Sequence, residues 1–145
     1  MRLILQRVSS ASVEIEGETV AAIGRGVLVL AGIERGDGAA QVERAIEKLS
    51  TLRLFADDKG RMNFDAATAR AEFLIVSQFT LAASLERGRR PSFDRAAPPE
   101  EAEPLVQALI DGLVARGFRA AHGRFGALMQ VRLVNDGPVT FVLDV

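Results

Sequence analysis

Two long apolar runs constrain the fold of this chain more than any other feature. Residues 26–33 read GVLVLAGI, and residues 72–81 read EFLIVSQFTL. A strand with one face in water alternates apolar and polar side chains, so an unbroken apolar run indicates a strand that is buried on both faces. The chain is therefore predicted to build its core around two central strands.

After each of these runs, apolar residues recur at the intervals typical of an α-helix. Asp37 is predicted to cap the first helix, whose apolar residues are spaced i, i+3, i+4 and i+7. These residues are Val42, Ala45, Ile46 and Leu49. The second helix is predicted from about residue 98 to about residue 116, with Pro99 in its first turn and Gly117 at its end. Its predicted buried residues are Leu105, Val106, Leu109 and Leu113.

Short strands are predicted over most of the remaining chain. Their positions are 2–8, 11–16, 19–23, 118–123, 127–135 and 139–144. Residues 52–64 are predicted to form a strand, a turn and a second extended segment. Since the sequence contains no repeat, linker or low-complexity segment, a single α/β domain is predicted over residues 1–145.

Composition excludes several kinds of chemistry. The chain has no cysteine and one histidine, His122, which excludes disulfides, thiolate metal sites and sites built from several histidines. A formal charge of −1 and a pI near 5.9 argue against a protein that binds nucleic acid over a broadly basic surface. Any contact with nucleic acid is therefore expected to be local. No apolar run is long enough to cross a membrane, and a cytoplasmic protein is expected.

A proline interrupts the strand-like end of the chain. Asn135-Asp136-Gly137-Pro138 separates two strand-like segments, and proline cannot donate a hydrogen bond to a sheet. The strand is therefore predicted to begin at Val139 or to contain a local break before it. A turn without chemical function explains this composition, but an X-Pro bond is also the kind that adopts the cis form at low energetic cost.

Polar residues follow the second apolar run directly. Ser77, Gln78 and Thr80 stand where α/β proteins often place functional groups, at the carboxyl end of a central strand. The alternative is that these side chains only satisfy backbone groups at the strand end. Composition and spacing leave both interpretations open.

An arginine-rich loop comes next in the sequence. Arg87, Arg89 and Arg90, with Arg95 close by, form the densest basic group of the chain. Arginine is well suited to binding phosphate, although exposed loops commonly carry such charges without a ligand. This loop is therefore a candidate phosphate-binding segment.

Weaker candidates are interpreted as structural. Gly24 and Gly26 lack the third glycine of a dinucleotide fingerprint and indicate a hairpin turn. Asp57 and Asp58 lie in the sequence DDKG, which predicts a turn and not a catalytic carboxylate pair. His122, next to a glycine in a predicted strand or loop, is interpreted as solvated or structurally hydrogen-bonded.

Together, SQFTL at 77–81, GRRPSF at 88–93 and NDGPVT at 135–140 resemble motifs of the D-aminoacyl-tRNA deacylase family. The resemblance continues in QRVSSASVEIEGE and IGRGVLVLAGI near the start, in KGRMN at 59–63 and in GRFGALMQVRLVNDGPVT near the end. Several motifs in the same order, in a chain of matching length, make it specific. The chain departs from the family pattern at Ala82, where an aromatic residue is frequent, and at Leu128, where an aspartate is expected.

The resemblance implies a mostly antiparallel, barrel-like sheet with two principal helices. It implies an enzyme that hydrolyses the ester between a D-amino acid and the terminal adenosine of tRNA, without a metal or cofactor. It also implies a homodimer, in which Gly137-Pro138 of one subunit, joined by a cis bond, reaches segment 77–80 of the other. The implied catalytic residues are Ser77, Gln78, Phe79 and Thr80. The implied substrate-binding residues are Gly137 and Pro138, with Val139 and Thr140 after them in the same motif. Arg89 and Arg90 are candidate phosphate contacts, and Met129 is expected either to pack against the adenine or to belong to the core of a strand.

The chemistry of these residues adds two expectations. No obvious base is present to activate Thr80, so a positioning role is favoured over a nucleophilic one. A pocket that rejects L side chains would also accept glycine, and hydrolysis of glycyl-tRNA is therefore expected. The alternatives are a threonine-dependent hydrolase of another small ester or amide, and a dimeric module that binds a tRNA acceptor end without hydrolysis.

Overall fold

The chain forms one main sheet with two helices on one of its faces and a small hairpin beside it. A computed structural model describes residues 1–86 and 88–145, and Arg87 of the candidate phosphate-binding loop lies outside the described residues. The main sheet contains β1 (Arg2–Ile15), β2 (Glu18–Ile23), β3 (Gly26–Gly32), β6 (Glu72–Ser77), β7 (Ala120–His122) and β8 (Gln130–Asp144). The hairpin consists of β4 (Phe55–Ala56) and β5 (Met62–Phe64). The helices are α1 (Ala39–Thr51) and α2 (Pro99–Ala115), and a 3₁₀ turn spans Phe79–Ala82.

Strand β1 organises the main sheet. Along one edge it is antiparallel to β3 and then to β2, and along its other edge it is antiparallel to β8. β6 runs parallel to β3, and β7 runs parallel to β6. Because β2 also contacts β6 and β7, the sheet curls into a nearly closed barrel. The predicted α/β fold with a mostly antiparallel, barrel-like sheet and two principal helices is confirmed.

The two central strands are buried on both faces, as their apolar sequences predict. Val27 and Val29 of β3 pack in the layer that the helices cover, and Leu28 between them packs inside the barrel. In β6, Phe73 and Leu74 divide between the same two layers. The core therefore has one layer between sheet and helices and a second layer within the barrel.

Both helices bury the apolar faces that their spacing predicts, with one exception. The buried residues of α1 are Val42, Ala45, Ile46 and Leu49. The buried residues of α2 are Ala102, Val106, Leu109, Ile110 and Leu113. Leu105 was expected in this group but is only partly buried, because the buried face of α2 continues through Ile110 instead.

The prediction that Asp37 caps α1 is wrong. The N-cap residue is Gly38, and its N–H donates to the side-chain oxygen Oε1 of Gln41 at 3.0 Å. The Asp37 carboxylate instead accepts hydrogen bonds from the Glu34 N–H at 2.7 Å and from the α-amino group of Met1 at 2.6 Å. A charged ammonium group binds a carboxylate more strongly than a helix N–H does, so Asp37 ties the start of β1 to the segment before α1.

Two pairs of predicted strands are continuous in the structure. The predicted strands 2–8 and 11–16 form the single strand β1, because β8 pairs along almost all of it. The predicted strands 127–135 and 139–144 likewise form β8, which contains a local break at Pro138, as one of the two predicted alternatives requires. The length of these strands is set by their pairing partners and not by local composition.

The predicted strand 72–81 ends early, at Ser77, where the chain enters the 3₁₀ turn. Gly32 at the end of β3 makes room for this turn. A Cβ at position 32 would lie 2.8 Å from the Cβ of Leu81 and 3.0 Å from the carbonyl oxygen of Gln78. The turn therefore packs directly on the backbone of β3.

The connection from β2 to β3 closes the barrel and does not form the predicted hairpin. Within the described residues, β2 and β3 each pair with β1 and not with each other. The Glu72 carboxylate accepts a hydrogen bond from the Gly24 N–H at 2.9 Å and pairs with Arg119. The Gly24 hydrogen bond, and then Arg119, hold the pKa of Glu72 below its ordinary value.

Gly26→Ala is expected to destabilise the protein by about 1–3 kcal/mol, because the added methyl group would overlap the Glu72 carbonyl oxygen. Pairing between β3 and β6 fixes that oxygen in place. Gly24→Ala is the matched control, since a Cβ there meets no atom within 4 Å. Urea unfolding of both variants and the parent gives the three free energies, and equal destabilisation by the two variants would contradict the overlap.

Candidate active site

Segment 77–80 lies at the carboxyl end of β6, as the sequence predicts. Because β6 is parallel to β3 and β7, the carboxyl ends of three strands meet at this edge of the sheet. Ser77 is the last residue of β6, and Phe79 begins the 3₁₀ turn. Segments that follow parallel strands are frequent positions for ligand sites.

A cavity of about 530 Å³ opens beside this segment. Four of the predicted site residues line it: Ser77, Gln78, Phe79 and Met129. The rest of the lining is mainly apolar and comes from β3, the start of α2 and residues 125–128. A largely apolar cavity with a few polar groups is typical of a site for a small organic ligand, and it is called the reaction cavity below.

Thr80 and Gln78 form a hydrogen-bonded pair next to the reaction cavity. The side-chain amide Nε2 of Gln78 donates to Thr80 Oγ1 at 2.5 Å. Between them, Phe79 is 57% exposed, and its ring centroid lies 5.0 Å from that of Phe93. In the described part of the chain, no histidine or carboxylate is hydrogen-bonded to Thr80 Oγ1, so no side chain is placed to remove its proton.

The second predicted part of the site, Gly137 and Pro138, lies in a bulge of β8. A single residue of β1, Arg7, stands opposite residues 136–139, so β8 makes a loop at this point. The Gly137–Pro138 peptide bond is cis, as the resemblance implies. Both residues are exposed, whereas Val139 after them is partly buried.

Arg7 holds the first half of this loop. Its Nε donates to the Asp136 carbonyl oxygen at 2.9 Å, and its Nη1 donates to the Leu54 carbonyl oxygen at 2.7 Å. The Arg7 side chain is only 12% exposed. Arg7 is absent from the predicted site residues, and β1 also contains Arg2 and Gln6, so the sequence gives no signal that singles Arg7 out.

Asn135 holds the second half of the loop and is also absent from the predicted site residues. Its Oδ1 accepts a hydrogen bond from the Val139 N–H at 2.8 Å, and its Nδ2 donates to Thr140 Oγ1 at 2.9 Å. The predicted substrate-binding residues Val139 and Thr140 therefore stabilise the loop through Asn135. The sequence signal is an asparagine that begins a turn.

In one chain the loop and the reaction cavity remain separate. The described lining of the cavity contains none of Gly137, Pro138, Val139 and Thr140. Large apolar side chains are exposed on β8 and near the cavity: Val134 at 57%, Val142 at 63% and Leu128 at 94%. The structure thus brings together segment 77–80 and Met129, and leaves the Gly137–Pro138 loop outside.

The arginine-rich loop is closed by backbone hydrogen bonds between Ser84 and Ser92. Arg89 and Arg90 lie on it and are exposed. Arg95 is engaged elsewhere, since its Nη2 lies 2.8 Å from the Glu34 carboxylate. Arg89 and Arg90 therefore remain the described candidates for phosphate binding.

The weaker candidates of the sequence have structural contacts. The Asp57 carboxylate accepts hydrogen bonds from the N–H groups of Arg61 and Lys59 and from Asn63, which confirms the predicted turn. The Arg61 backbone bond is the main cause that lowers the pKa of Asp57. His122 lies at the end of β7, with Nδ1 2.8 Å from the Gly123 carbonyl oxygen.

Two glycines and the two departures from the family pattern lie at or near the site. Gly32 admits the 3₁₀ turn, and a Cβ at Gly123 would overlap the Met129 sulfur. In the sequence nothing distinguishes these glycines from the others. Ala82 is buried in the turn, whereas Leu128 is almost fully exposed beside the cavity.

Residues 1–86 and 88–145 contain no group of three or more histidine, aspartate and glutamate side chains that could hold a metal ion. Their helices are too short or too polar to span a membrane.

Comparison with known proteins gives matches along the entire chain. The D-Tyr-tRNA(Tyr) deacylase family matches residues 4–144. A D-aminoacyl-tRNA deacylase of Roseiflexus castenholzii is 54% identical, over 99% of this chain and 92% of the relative. A D-aminoacyl-tRNA deacylase of Ectopseudomonas mendocina is 52% identical over the full length of both chains.

Solved structures agree with this match. A structure described as c-Myc DNA Unwinding Element Binding Protein has a TM-score of 0.93 and 39% identity, covering 100% of this chain and 99% of the other. A probable eukaryotic D-amino acid tRNA deacylase shares the fold, with a TM-score of 0.85, 19% identity and coverage of 99% and 98%. The chain belongs to the D-Tyr-tRNA(Tyr) deacylase family.

Proposed function

We propose that this protein hydrolyses the ester bond between a D-amino acid and the terminal adenosine of tRNA, releasing the free D-amino acid and the tRNA. The observation that carries the proposal is the family match over residues 4–144. As a member of this family the chain is a hydrolase. The reaction cavity supports the proposal, because its size and mainly apolar lining suit an adenosine with an attached amino acid.

Ester hydrolysis needs a water nucleophile and hydrogen-bond donors for the negative charge that develops on the carbonyl oxygen. The N–H groups of Phe79 and Thr80 begin the 3₁₀ turn, where a helix leaves its first N–H groups without internal acceptors. Each preorganised donor of this kind is worth roughly 3 kcal/mol in the transition state. The vicinal ribose hydroxyl already activates an aminoacyl ester, so the reaction does not require a strong side-chain base.

The role assigned to Thr80 is to position water or substrate. Gln78 donates to Thr80 Oγ1, which occupies an oxygen lone pair and leaves the hydroxyl proton to be donated outward. A threonine nucleophile needs the opposite arrangement, in which a base accepts that proton. Gln78 therefore orients the hydroxyl, and the Ser77 hydroxyl and the Phe79 N–H complete the polar end of the cavity.

Thr80→Ala is expected to lower the single-turnover rate by no more than about a hundredfold to a thousandfold, the range for loss of one positioned hydrogen bond. Removal of a nucleophile would cost several orders of magnitude, because the covalent route would disappear. Thr80→Ser, which keeps the hydroxyl, is the matched control. Single-turnover rates on D-aminoacyl-tRNA measure the difference, and a fall of Thr80→Ala to the uncatalysed rate would identify Thr80 as the nucleophile.

The proposed active site is completed by a second copy of the chain. The loop that carries Gly137 and Pro138 is held by hydrogen bonds with Arg7 and Asn135 but lies outside the reaction cavity of its own chain. β8 is an edge strand with exposed Val134 and Val142, and burial of such a surface stabilises a lasting dimer. In the homodimer the loop of one subunit faces segment 77–80 of the other.

The loop supplies the chiral selection in this proposal. The carbonyl groups of Gly137 and Pro138 hold the α-amino group of the substrate and block the direction in which an L side chain points. A steric clash with the loop discriminates between L and D substrates more strongly than the loss of one favourable methyl contact, which is worth only about 1–3 kcal/mol. A D side chain points outward, so many D-amino acids are accepted.

Deacylation of D-alanyl-, glycyl- and L-alanyl-tRNA under identical conditions tests both the activity and the selection. D-alanyl-tRNA is expected to be hydrolysed fastest, glycyl-tRNA measurably, and L-alanyl-tRNA hardly at all. The L-alanyl side chain would clash with the Gly137–Pro138 loop, whereas glycine has no side chain that could clash. Resistance of D-alanyl-tRNA would refute the deacylase function. Equal resistance of glycyl- and L-alanyl-tRNA would show instead that the pocket recognises the D side chain directly.

Arg89 and Arg90 are proposed to bind phosphates of the acceptor end, because they are exposed on a closed loop that begins shortly after the 3₁₀ turn. Replacing both by Ala is expected to weaken tRNA binding and to reduce its salt dependence, since each lost phosphate contact removes part of the counterion release. Binding titrations at several salt concentrations measure this. Unchanged salt dependence with a lowered melting temperature would show a role in stability instead.

A further inference from the structure

A second cavity, of about 350 Å³, lies between α2 and the ends of β6 and β7. Its polar lining residues are Ser77, Glu103, Gln107, His122 and Arg124. Apart from Ser77, none of these residues has a part in the proposed hydrolysis. Their presence in one cavity at the active edge of the sheet therefore needs a separate explanation.

The two cavities adjoin each other. Ser77, Val106 and Phe125 line both of them. A molecule whose end occupies the reaction cavity can therefore extend past these side chains into the smaller cavity. For an RNA strand with its last nucleoside in the reaction cavity, the adjoining smaller cavity can receive the preceding nucleotide.

The charged groups of the smaller cavity are available to a ligand. In the described part of the chain, neither Glu103 nor Arg124 forms an ion pair, and both are exposed. The Gly123 carbonyl oxygen can only accept a hydrogen bond, so Nδ1 of His122 is the donor in this bond, and Nε2 has no hydrogen-bond partner within the described residues. Gln107 is less available, because its amide donates to Asp111 at 2.8 Å.

These groups match the hydrogen-bonding edge of cytosine. A carboxylate such as Glu103 accepts from the cytosine amino group, whereas Arg124 can donate to the base oxygen or to the adjoining phosphate. The volume suits roughly one nucleotide. All mature tRNAs end in CCA, so the nucleotide before the terminal adenosine is a cytidine.

We propose that the smaller cavity binds this penultimate cytidine of the acceptor end, with Glu103, His122 and Arg124 as its polar contacts. The inference rests on the proposed deacylase function and adds a second recognition point to the same substrate. It explains how an enzyme with a net charge of −1 distinguishes an aminoacylated RNA end from a free aminoacyl nucleoside.

The test compares three small substrates: the D-alanyl esters of adenosine, of the dinucleotide CpA and of the dinucleotide UpA. The parent protein is expected to show a kcat/KM about tenfold higher for the CpA ester than for the other two, because only cytosine presents an amino group to Glu103. Arg124→Ala is expected to remove about the same factor from the CpA ester and to change the adenosine ester little. Arg44→Ala, an exposed arginine on α1 away from both cavities, is the matched control.

Glu103→Gln gives a sharper result. Its side-chain amide can donate to the uracil O4, so this variant is expected to hydrolyse the CpA and UpA esters with similar kcat/KM. Equal kcat/KM of the parent for all three esters would overturn the inference, as would an equal loss on all three in Arg124→Ala. Hydrolysis of the adenosine ester by the parent tests the deacylase function separately, and its absence would overturn both proposals.

Discussion

The antiparallel pairing of β1 along both of its edges is the constraint on which the rest of this structure depends. Through β3 it fixes β6, and so the position of segment 77–80. Through β8 it fixes the loop that carries Gly137 and Pro138. Because β3 and β8 lie on opposite edges of β1, the two motifs are separated within one chain. This separation is the physical reason for proposing that a second copy completes the active site.

Close backbone packing makes this arrangement compact. Three glycines allow a neighbouring group to approach closely because they lack a Cβ: Gly26 leaves space for the Glu72 backbone, Gly32 for the turn after β6, and Gly123 for the Met129 side chain. At each position a Cβ would occupy the space of the neighbouring group. Glycine is therefore required there for space, and the barrel edge and the reaction cavity share this dependence on small residues.

Much of the fold follows from sequence patterns. The apolar run 26–33 predicts β3 and its burial on both faces, and the helical spacing of Val42 and Leu49 predicts the buried face of α1. Local sequence patterns give a wrong prediction where a group that is distant in the sequence provides a stronger interaction. Asp37 binds the Met1 ammonium group and does not cap the helix. Pro138 interrupts the ladder without ending β8, because pairing with β1 resumes on its far side.

The candidate site also combines features that sequence patterns predict with contacts that depend on distant partners. The central strands, the polar end of β6, the proline break and the family can be predicted from the sequence, because they depend on residue type and order along the chain. The hydrogen bond from Gln78 to Thr80, the support of the loop by Arg7 and Asn135, and the contact between the two cavities at Phe125 are visible in the folded chain alone. These contacts depend on strand register and on distances between side chains, which local patterns in a sequence do not encode.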